Sequence, residues 1–553
     1  MTTNSQLQQA LTHLQQNQID ACQELCRTII QKTPNNADAY HLMALGYCQK
    51  KQYDTAFQYF QTAIKNQPNE ANFYYNFANC LKQANHTKEA INTYQQAANL
   101  APNNEQIWFN LATTYNTKNE LEQCQQCYLK AIEIKPDYIK AYYNLAQSYL
   151  DQDNAQQAQY FFQKALSYQP GYAKALSGMA LCEKHHEHFD HAIHYFKQAL
   201  RHENLAEFHY NLGNTYHQTK QFDLAISHYQ QALKINGKYD LAYYALGSTY
   251  LLLGNYQAGW NFYEYRWRSE KNPQRHHHIT RWDGQELTNK NILIWGEQGI
   301  GDTLQFSQTL PLIIQQCKQC IVECDERLIP LLQRSFPEIK AIAYQTDNNF
   351  QTRVDFQCPI ISLAQWTSPA LPFLSPQISF IKPNQMMVES IKKRYQQFGS
   401  LLKIGISWKS GNPDFGALRS CHLSHWVKLL KTSNCIFINL QYGNTHDDLN
   451  ELSTAHDINV FHDQEVDPLD NLDQFAAQLC NLDLVISIDN STVHFAAALG
   501  IPVWTLLPYI PDWRWQLNSD TTPWYPTMRL FRQTKRGDWE SVFQQIDRID
   551  YYA

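Results

Sequence analysis

Apolar positions in the first half of the chain recur with a helical period inside a longer repeat of 34 residues. Five prolines mark that repeat without a slip, at Pro34, Pro68, Pro102, Pro136 and Pro170. Within each unit, apolar residues spaced by three and four positions share one helical face. The pattern predicts pairs of antiparallel helices, each pair closed by a proline and stacked on the next as an α-solenoid.

Aligned on the prolines, each unit carries a small residue, an aromatic residue four positions later and a second small residue three positions after that. After Asn204 takes the proline position, the register drops by one residue and two more units follow. The pattern resembles the tetratricopeptide repeat and predicts about eight repeats over residues 1–267. The aligned residues are Ala56, Ala90, Cys124, Ala158 and Ala192, then Phe60, Tyr94, Tyr128, Phe162 and Phe196, then Ala63, Ala97, Ala131, Ala165 and Ala199.

The pattern changes after Trp267. Residues 268–289 are polar, lack the repeat and are interpreted as a connector. From residue 290, short apolar strands alternate with helical stretches, which indicates parallel sheets with crossover helices and an α/β second half. The predicted strands include Asn291–Trp295, Ile321–Asp325, Lys403–Trp408, Ile436–Leu440, Leu484–Ile488 and Val503–Leu507.

A glycine-rich loop with Gly296, Gly299 and Gly301 follows the first predicted strand and leads into a helix. Such glycines allow a sharp turn and a close approach to a ligand, and the start of the helix offers free N–H groups to an anion. Asp302 stands at this corner, where it suits either a helix cap or a general base. A dinucleotide site would use an acidic residue about 20 positions on, such as Glu323, but a carboxylate inside the loop makes us discount that alternative.

Two cations follow the predicted strand Lys403–Trp408. Lys409 stands just beyond its carboxyl end, and Arg419 follows on the next loop. Lysine meets phosphate as a point charge and arginine meets it through two parallel hydrogen bonds, so both suit a phosphate group. Both equally suit a solvated surface.

A second strand-to-helix corner follows Ile488. A strand, small polar residues and a helix start form an anion site, because the helix dipole and the free amides point to the same place. The alternatives are that Ser491 or Thr492 only caps the helix and that His494 is a buried core residue. The residues of this corner are Asp489, Asn490, Ser491, Thr492 and His494.

Side chains near these corners are further candidates. Gln441, Tyr442 and the loop Pro508–Trp513 suit contacts with a nucleotide base or a sugar. Packing is the alternative that we favour slightly, because aromatic residues make up 13% of the chain. Trp513, Arg514 and Trp515 equally suit a stacked cluster in the core.

Composition narrows the classes of function. The chain has 553 residues and a formal net charge of −6, so it lacks the basic footprint of a nucleic-acid-binding protein. The amino terminus has no cationic stretch with an apolar core, and no run of about 18 apolar residues occurs, so we expect neither a secretory signal nor a membrane span. Fourteen cysteines, mostly on helix faces or in apolar runs, favour reduced thiols and a cytoplasmic location.

Two segments contain metal-ligating side chains. Cys317 and Cys320 form a CxxC with Cys324 nearby, but no second pair follows at zinc-ligand spacing, so we interpret them as structural thiols. The run His276–His278 consists of neighbours along a loop, which rarely converge on one ion. We therefore expect no metal site and no cofactor.

Two segments carry a family resemblance. NLDLVISIDNSTVHFAAALGIPVWTLLP is similar to the donor-site segment of glycosyltransferase family 9, the ADP-heptose transferases of lipopolysaccharide synthesis, and GEQGIGDTLQFSQTLP is similar to the glycine loop of that family. The resemblance covers residues 290–553. It implies the GT-B fold, in which two facing Rossmann-like domains hold a nucleotide sugar in their cleft. The domains would be 290–390 on the acceptor side and 400–553 on the donor side.

By this resemblance, Asp302 is the base that deprotonates the acceptor hydroxyl, and Lys409 contacts the diphosphate. A cation and the helix dipole would stabilise the departing nucleoside diphosphate, which implies an inverting transfer without a metal. Asn490 and Phe495 differ from the usual heptosyltransferase residues, so heptose specificity does not transfer. The phosphates and the sugar would be lined by Asp489, Asn490, Ser491, Thr492 and His494.

The architecture is also similar to O-linked N-acetylglucosamine transferase, which joins repeats to two Rossmann-like domains and modifies proteins held in its superhelix. One asparagine recurs at a fixed repeat position, and such a ladder suits the backbone of an extended peptide. The equal alternative is that asparagine is common at this position. The four residues are Asn76, Asn110, Asn144 and Asn211.

Two hypotheses from different classes follow. The first is a glycosyltransferase that moves a sugar from a nucleotide-diphosphate sugar to a polypeptide or glycan acceptor recruited by the repeats. The second is a scaffold for protein interaction whose α/β half is a degenerate sugar-nucleotide fold. Asp302, Lys409, Asp489 and His494 together favour the enzyme, because a scaffold does not need that set. A lipopolysaccharide heptosyltransferase is the runner-up enzyme. It is less favoured because its acceptors do not require eight repeats. Repeat faces often self-associate, so an oligomer is compatible with the pattern.

Overall fold

The computed structural model describes residues 2–268, 275–276, 278–345, 353–367, 378–412 and 416–547. It contains two compact units, unit 1 (Met1–Thr219) and unit 2 (Lys220–Ala553). Part of the predicted connector, including Pro273 and His277, lies outside the described residues. Within the described residues, none of the helices combines the length and the apolar character needed to cross a bilayer.

Unit 1 is a solenoid of helix pairs, as the repeat predicts. The second helices of successive pairs begin 34 residues apart, for example at Ile19, Tyr53 and Thr87. The repeated prolines lie in the turns after these helices, where a residue without an N–H does not continue the helix. The helices are α1 (Thr3–Gln15), α2 (Ile19–Lys32), α3 (Ala37–Gln49), α4 (Tyr53–Asn66), α5 (Ala71–Gln83), α6 (Thr87–Leu100), α7 (Glu105–Thr117), α8 (Leu121–Ile134), α9 (Ile139–Leu150), α10 (Ala155–Tyr168), α11 (Ala173–His185), α12 (Phe189–His202) and α13 (Ala206–Gln218).

The repeated small and aromatic positions form the core of unit 1. Ala56 and its counterparts in the later repeats are fully buried, and so are Phe60 and its counterparts. Each buried aromatic side chain contributes about 1.5–3 kcal/mol by removing apolar surface from water. Because these residues fall on one face of every second helix, each pair packs against its neighbours along the chain.

Unit 2 begins with the last repeat helices and keeps the predicted change of register. Phe222 starts a helix 33 residues after Phe189 starts α12, instead of 34. The helices are α14 (Phe222–Ile235), α15 (Asp240–Leu252) and α16 (Tyr256–Tyr263), and a 3-10 helix, Glu264–Arg268, follows them.

The first sheet, within the described residues, consists of parallel strands in the order β3-β2-β1-β4. The helix predicted from Thr303 toward Ile314 is broken into two, because Pro311 supplies no N–H to continue the first part. Outside the carboxyl ends of β1 and β4, where the strand order reverses, such a sheet forms a ligand crevice. The elements are β1 (Asn291–Trp295), α17 (Ile300–Ser307), α18 (Leu310–Ile314), β2 (Gln319–Cys324), α19 (Ile329–Ser335), β3 (Ile339–Ala343), β4 (Phe356–Pro359) and α20 (Leu363–Thr367).

The second sheet is also parallel, in the order β6-β5-β7-β8-β9, and its order reverses between β5 and β7. Tyr395, near residue 390 where the sequence placed a boundary, accepts a hydrogen bond at 2.9 Å from Gln478. The elements are α21 (Gln385–Tyr395), β5 (Leu402–Ser407), α22 (Gly416–Arg419), α23 (Val427–Leu430), β6 (Cys435–Asn439), α24 (His446–His456), α25 (Leu472–Leu479), β7 (Leu484–Ile488), α26 (Ser491–Ala498), β8 (Val503–Leu507), β9 (Met528–Arg532) and α27 (Trp539–Ile546).

A buried charge network joins the last repeat helices to the first sheet. Arg266 is 1% exposed and donates to both carboxylate oxygens of Glu297, at 2.9 and 3.0 Å, and to Ser362 at 2.7 Å. Glu264 accepts from Arg266 at 2.8 Å and also pairs with Arg281. Because a buried ion is costly without its partners, this network fixes the end of the repeats against β1 and β4.

A glycine-to-alanine pair tests the packing of the last repeat. A Cβ at Gly247 on α15 would lie 2.4 Å from the backbone nitrogen of Tyr263 on α16, whereas a Cβ at Gly237 would lie 3.8 Å from its nearest neighbour. We expect Gly247→Ala to lower the free energy of unfolding of unit 2 by about 3 kcal/mol, because backbone atoms must shift. Gly237→Ala is the matched control and should change it by less than about 1 kcal/mol. Equal effects of the two substitutions in urea denaturation would contradict the close approach of α15 and α16.

Candidate functional site

The glycines after β1 serve packing. Gly296 donates from its N–H to the carbonyl oxygen of Glu323 at 2.7 Å, and a Cβ at Gly296 would lie 2.8 Å from the Tyr344 hydroxyl. A Cβ at Gly301 would lie 2.9 Å from the ring of His494. Gly301 therefore lets α17 approach α26, a different use of glycine from the ligand approach that the sequence predicts.

Asp302 lies in the first turn of α17. Its carboxylate pairs with Arg514 and accepts a hydrogen bond from the backbone of Gly299, the N-cap of the helix. A contact back to the N-cap is one half of a capping box, and this position of Asp302 is compatible with the capping alternative. Burial raises the pKa of Asp302, and the positive charge of Arg514 partly offsets that rise.

Asp302 belongs to a group of five charged side chains that we call the central charge cluster: Asp302, Arg419, Asp489, Asp512 and Arg514. Arg514 donates to Asp512 at 2.6 Å, and Arg419 lies 3.4 Å from Asp489 and 3.6 Å from Asp512. The exposed fraction of these side chains runs from 4% for Asp489 to 22% for Arg419. The cluster therefore holds one more carboxylate than guanidinium group with little access to water.

The extra carboxylate changes the titration of the cluster. Burial raises the pKa of Asp489, against the opposing charge of Arg419. Burial alone would also raise the pKa of Asp512, but Arg514 and Arg419 hold it below its ordinary value. Oδ2 of Asp489 is buried and makes no hydrogen bond among the described residues, and it is the oxygen that lies 3.4 Å from the Arg419 guanidinium group. A hydroxyl or amide donor from a ligand would stabilise that oxygen.

The amino end of α26 is capped by Asn490. Its side-chain oxygen accepts from the N–H of Thr492 at 3.0 Å, and its amide donates to Ser407 at 2.7 Å and to the carbonyl oxygen of Lys409 at 3.3 Å. The cap is therefore Asn490, and neither Ser491 nor Thr492 takes that role. These contacts fix the start of α26 to the end of β5, where the order of the second sheet reverses.

Lys409 lies in the loop after β5, and Gln441, which follows β6, contacts that loop. Nζ of Lys409 lies 2.6 Å from Asp448, and its side chain is 48% exposed. The side-chain oxygen of Gln441 accepts from Ser407, from the N–H of Trp408 and from the N–H of Lys409, at 2.7–2.9 Å. Gln441 thus shapes this loop, as the packing alternative predicted, while the Lys409 ammonium group stays accessible to solvent.

A pocket of about 100 Å³ lies between the first turns of α17 and α26. Tyr442, a candidate from the sequence, lies in its wall, and its hydroxyl accepts from the N–H of Gly411 at 2.6 Å. Apolar side chains of α25 form another part of the wall, and Arg327, which the sequence analysis missed, supplies a cation. The residues that line the pocket include Ile300, Arg327, Tyr442, Leu472, Ser491 and Thr492.

His494 is a core histidine. It is 6% exposed, its ring stacks on Trp515 at 5.3 Å between centroids, and its Nδ1 lies 3.0 Å from the Tyr525 hydroxyl. Burial, with a smaller contribution from Arg514, lowers the pKa of His494 to about 3. His494 is therefore neutral near pH 7 and positions α26 by packing.

The charge-pairing roles of Asp512 and Arg514 are the part of the site that sequence reasoning missed. The stacked core that was predicted is present, since Trp513 contacts Trp260 and Tyr263 at 5.4 Å between ring centroids. Arg514, however, lies at the centre of the charge cluster and also donates to Gln305 at 2.9 Å. The available signal was its place just beyond the carboxyl end of β8, the edge where α/β sheets hold their sites.

The asparagine ladder makes hydrogen bonds between repeats. Asn110 donates to the Tyr75 hydroxyl at 2.7 Å, and the amide of Asn76 lies 3.0 Å from Nε2 of His41. All four asparagines, Asn144 and Asn211 included, are half-buried. The side-chain nitrogens of Asn76 and Asn110 therefore contact neighbouring repeats of the solenoid.

The other candidates from the sequence have structural partners. Nε2 of His276 lies 2.8 Å from the carboxylate of Glu323, which also accepts from the N–H of Gln345 at 2.7 Å. Glu323 therefore serves the connector, and His277 lies outside the described residues. Cys317 and Cys320 are free thiols.

Comparison with known proteins identifies the repeats. Models of the tetratricopeptide repeat match residues 48–108, 114–153, 139–172 and 206–239. The amino-terminal region is therefore built of tetratricopeptide repeats, which indicates a role in protein interaction. A curated relative, Protein FlbA of Caulobacter vibrioides, is 29% identical over 322 residues, or 55% of this chain. The chain spans about half the length of that relative, 54%.

Solved structures with similar helical repeats include three examples. YrrB, a TPR protein with an unusual peptide-binding site, is 22% identical, with a TM-score of 0.29 over 34% of this chain and 96% of its own. The pilF protein of Pseudomonas aeruginosa is 19% identical, with a TM-score of 0.33 over 37% and 94%. A tetratricopeptide repeat protein of Parabacteroides merdae is 16% identical, with a TM-score of 0.38 over 44% and 95%.

The buried neutral state of His494 predicts a pH dependence of stability. Below pH 6.5 the unfolded chain binds a proton at His494, whereas the folded chain binds it only near pH 3. The free energy of unfolding therefore falls as the pH is lowered from 6.5 toward 3. The slope reaches about 1.4 kcal/mol per pH unit. His494→Asn lacks the group, so its deficit in unfolding free energy relative to wild type should shrink by about 1–2 kcal/mol between pH 7 and pH 5.

Tryptophan fluorescence in urea measures this shift, because Trp108 is the one tryptophan before residue 220 and the signal comes mainly from unit 2. The exposed His446 provides the control variant His446→Asn, which should follow the wild-type pH profile. A constant difference between wild type and His494→Asn at all pH values would contradict the buried neutral histidine.

Proposed function

We propose that this chain is a glycosyltransferase that moves a sugar from a nucleotide-diphosphate sugar to a protein or glycan acceptor recruited by the repeats. The observation that carries the proposal is the close approach of the first turns of α17 and α26, with a pocket beside them that Ile300, Ser491 and Thr492 help to line. Both helices begin after the carboxyl ends of parallel strands, and the positive end of a helix dipole favours an anion there. This arrangement agrees with the glycosyltransferase family 9 resemblance of the same two segments.

The charges divide the cleft into two regions. The start of α26 and the accessible ammonium group of Lys409 favour an anion, so the diphosphate would bind there. The central charge cluster has an excess of carboxylates, which disfavours phosphate and suits the hydroxyl groups of a sugar. Oδ2 of Asp489, which makes no hydrogen bond among the described residues and lies 3.4 Å from Arg419, would accept from such a hydroxyl.

In the proposed transfer, Asp302 accepts the proton of the acceptor hydroxyl. The acceptor oxygen forms a bond to the anomeric carbon while the bond from that carbon to the diphosphate oxygen breaks, with inversion and without a metal. Lys409 and the α26 dipole stabilise the negative charge that develops on the departing nucleoside diphosphate. The raised pKa of Asp302 makes its carboxylate a better proton acceptor than an exposed one.

A scaffold for protein interaction is the second candidate function, and one observation favours it. The Asp302 carboxylate is already paired with Arg514 and hydrogen-bonded to the Gly299 backbone, as in a purely structural role. Nucleotide binding separates the two candidates, since a scaffold has no use for a diphosphate site.

Calorimetry with UDP, ADP, GDP and their sugar conjugates tests the proposal. Lys409 and Lys403 lie at opposite ends of β5 and each pairs with an aspartate, at 2.6 Å to Asp448 and 3.4 Å to Asp483. We expect micromolar binding of one nucleotide, weakened about 10- to 100-fold in Lys409→Ala by loss of a charge-assisted hydrogen bond. The matched control Lys403→Ala should bind as wild type does.

Two outcomes would count against the enzyme. Failure of every nucleotide to bind would favour the scaffold. Binding that Lys409→Ala leaves unchanged would place the nucleotide away from the end of β5 and remove the proposed diphosphate site.

A further inference from the structure

A histidine-rich turn connects α11 and α12 in unit 1. The ten residues 185–194, which include the end of α11, this turn and the first turns of α12, carry five histidines inside a single repeat. The histidines are His185, His186, His188, His191 and His194. Neither the repeat pattern nor helix packing requires them, because the core of these two helices is formed by other residues such as Ala180, Cys182 and Phe196.

Three side chains of this turn converge. Oε2 of Glu183 lies 3.0 Å from Nδ1 of His188 and 3.5 Å from Nδ1 of His191. One ligand atom from each of the three residues lies within 4.8 Å of those of the other two. Glu183 comes from α11, His188 is the N-cap of α12, and His191 lies in the first turn of α12. The set therefore spans both helices of one repeat.

The carboxylate is buried and held in place. The Glu183 side chain is 10% exposed, and its other oxygen, Oε1, accepts from the Gln159 amide at 3.1 Å. The rings of His188 and His191 are 61% and 73% exposed, so they are accessible from solvent. A fixed carboxylate beneath two accessible imidazole groups leaves an open position on the solvent side.

The distances suit a tetrahedral metal ion. With bonds of about 2.0–2.1 Å to nitrogen and oxygen, neighbouring ligand atoms of a tetrahedral Zn²⁺ lie roughly 3.3 Å apart. The two measured separations, 3.0 and 3.5 Å, lie on either side of that value. Two imidazoles and one carboxylate are a ligand set typical of zinc and its neighbours in the transition series.

We propose that Glu183, His188 and His191 bind a divalent transition-metal ion of the Zn²⁺ class, with water in the fourth position. The ion bridges α11 and α12 and stabilises the turn between them. Without metal, the Glu183 carboxylate lies within hydrogen-bond distance of Nδ1 of His188, at 3.0 Å, and 3.5 Å from Nδ1 of His191. Zn²⁺ binding would displace the proton shared by Glu183 and His188. The site is independent of nucleotide binding.

The test uses the full chain without an affinity tag, stripped with a chelator and dialysed. Zn²⁺ titration by calorimetry should show one site of micromolar or tighter affinity, and Co²⁺ should give the visible absorption of a tetrahedral complex. His188→Gln, His191→Gln and Glu183→Gln should each weaken binding at least tenfold. The amide in Glu183→Gln keeps an acceptor for Gln159, and circular dichroism checks that each variant is folded.

Two matched controls lie on the same turn. His185 pairs with Asp153, and His194 lies against Gln198, so both are outside the three-residue set. His185→Gln and His194→Gln should bind Zn²⁺ as wild type does. An equal loss of Zn²⁺ affinity in the two controls would indicate nonspecific binding to the many histidines of this segment and would overturn the site. Absence of binding below millimolar Zn²⁺, or binding that none of the three ligand variants weakens, would also overturn it.

Discussion

The close contact between α17 and α26 is the constraint on which the rest of the α/β half depends. Each helix begins at the carboxyl end of a parallel strand, and Gly301 leaves the space that the His494 ring occupies. The ion pair between Asp302 and Arg514 also joins α17 to the segment that follows β8. Because this contact brings the carboxyl ends of both sheets to one cleft, the pocket, the charge cluster and two helix starts become neighbours.

Burial gives this cleft its chemical character. Three carboxylates and two guanidinium groups share a volume with little water, so the charges cannot all be compensated, and burial raises the pKa of Asp302 and of Asp489. An arrangement of this kind costs stability unless a ligand completes it. Perturbed carboxylates in a cleft are typical of functional sites, which is the physical reason to place sugar chemistry there and phosphate binding at α26.

Much of the fold could be predicted because it follows from periodicity. The 34-residue spacing gave the helix pairs, and the strands Asn291–Trp295 and Leu484–Ile488 have the predicted bounds. The partners of each charge could not be predicted, because they come from distant parts of the chain. Arg514 meets Asp302 across 212 residues, and Lys409 meets Asp448 across 39. The packing role of Gly301 could not be predicted either, because it depends on α26, which is distant along the chain.

The central claim is that a nucleoside diphosphate occupies the cleft between the two sheets. Hydrogen exchange measured by mass spectrometry, with and without saturating UDP, ADP or GDP, tests it most directly because it locates the ligand along the chain. The account predicts protection of backbone amides at the starts of α17 and α26 and in the loop after β5, with no change at the amino ends of β5 and β7. Protection confined to the repeats, or none with any nucleotide, would contradict the account.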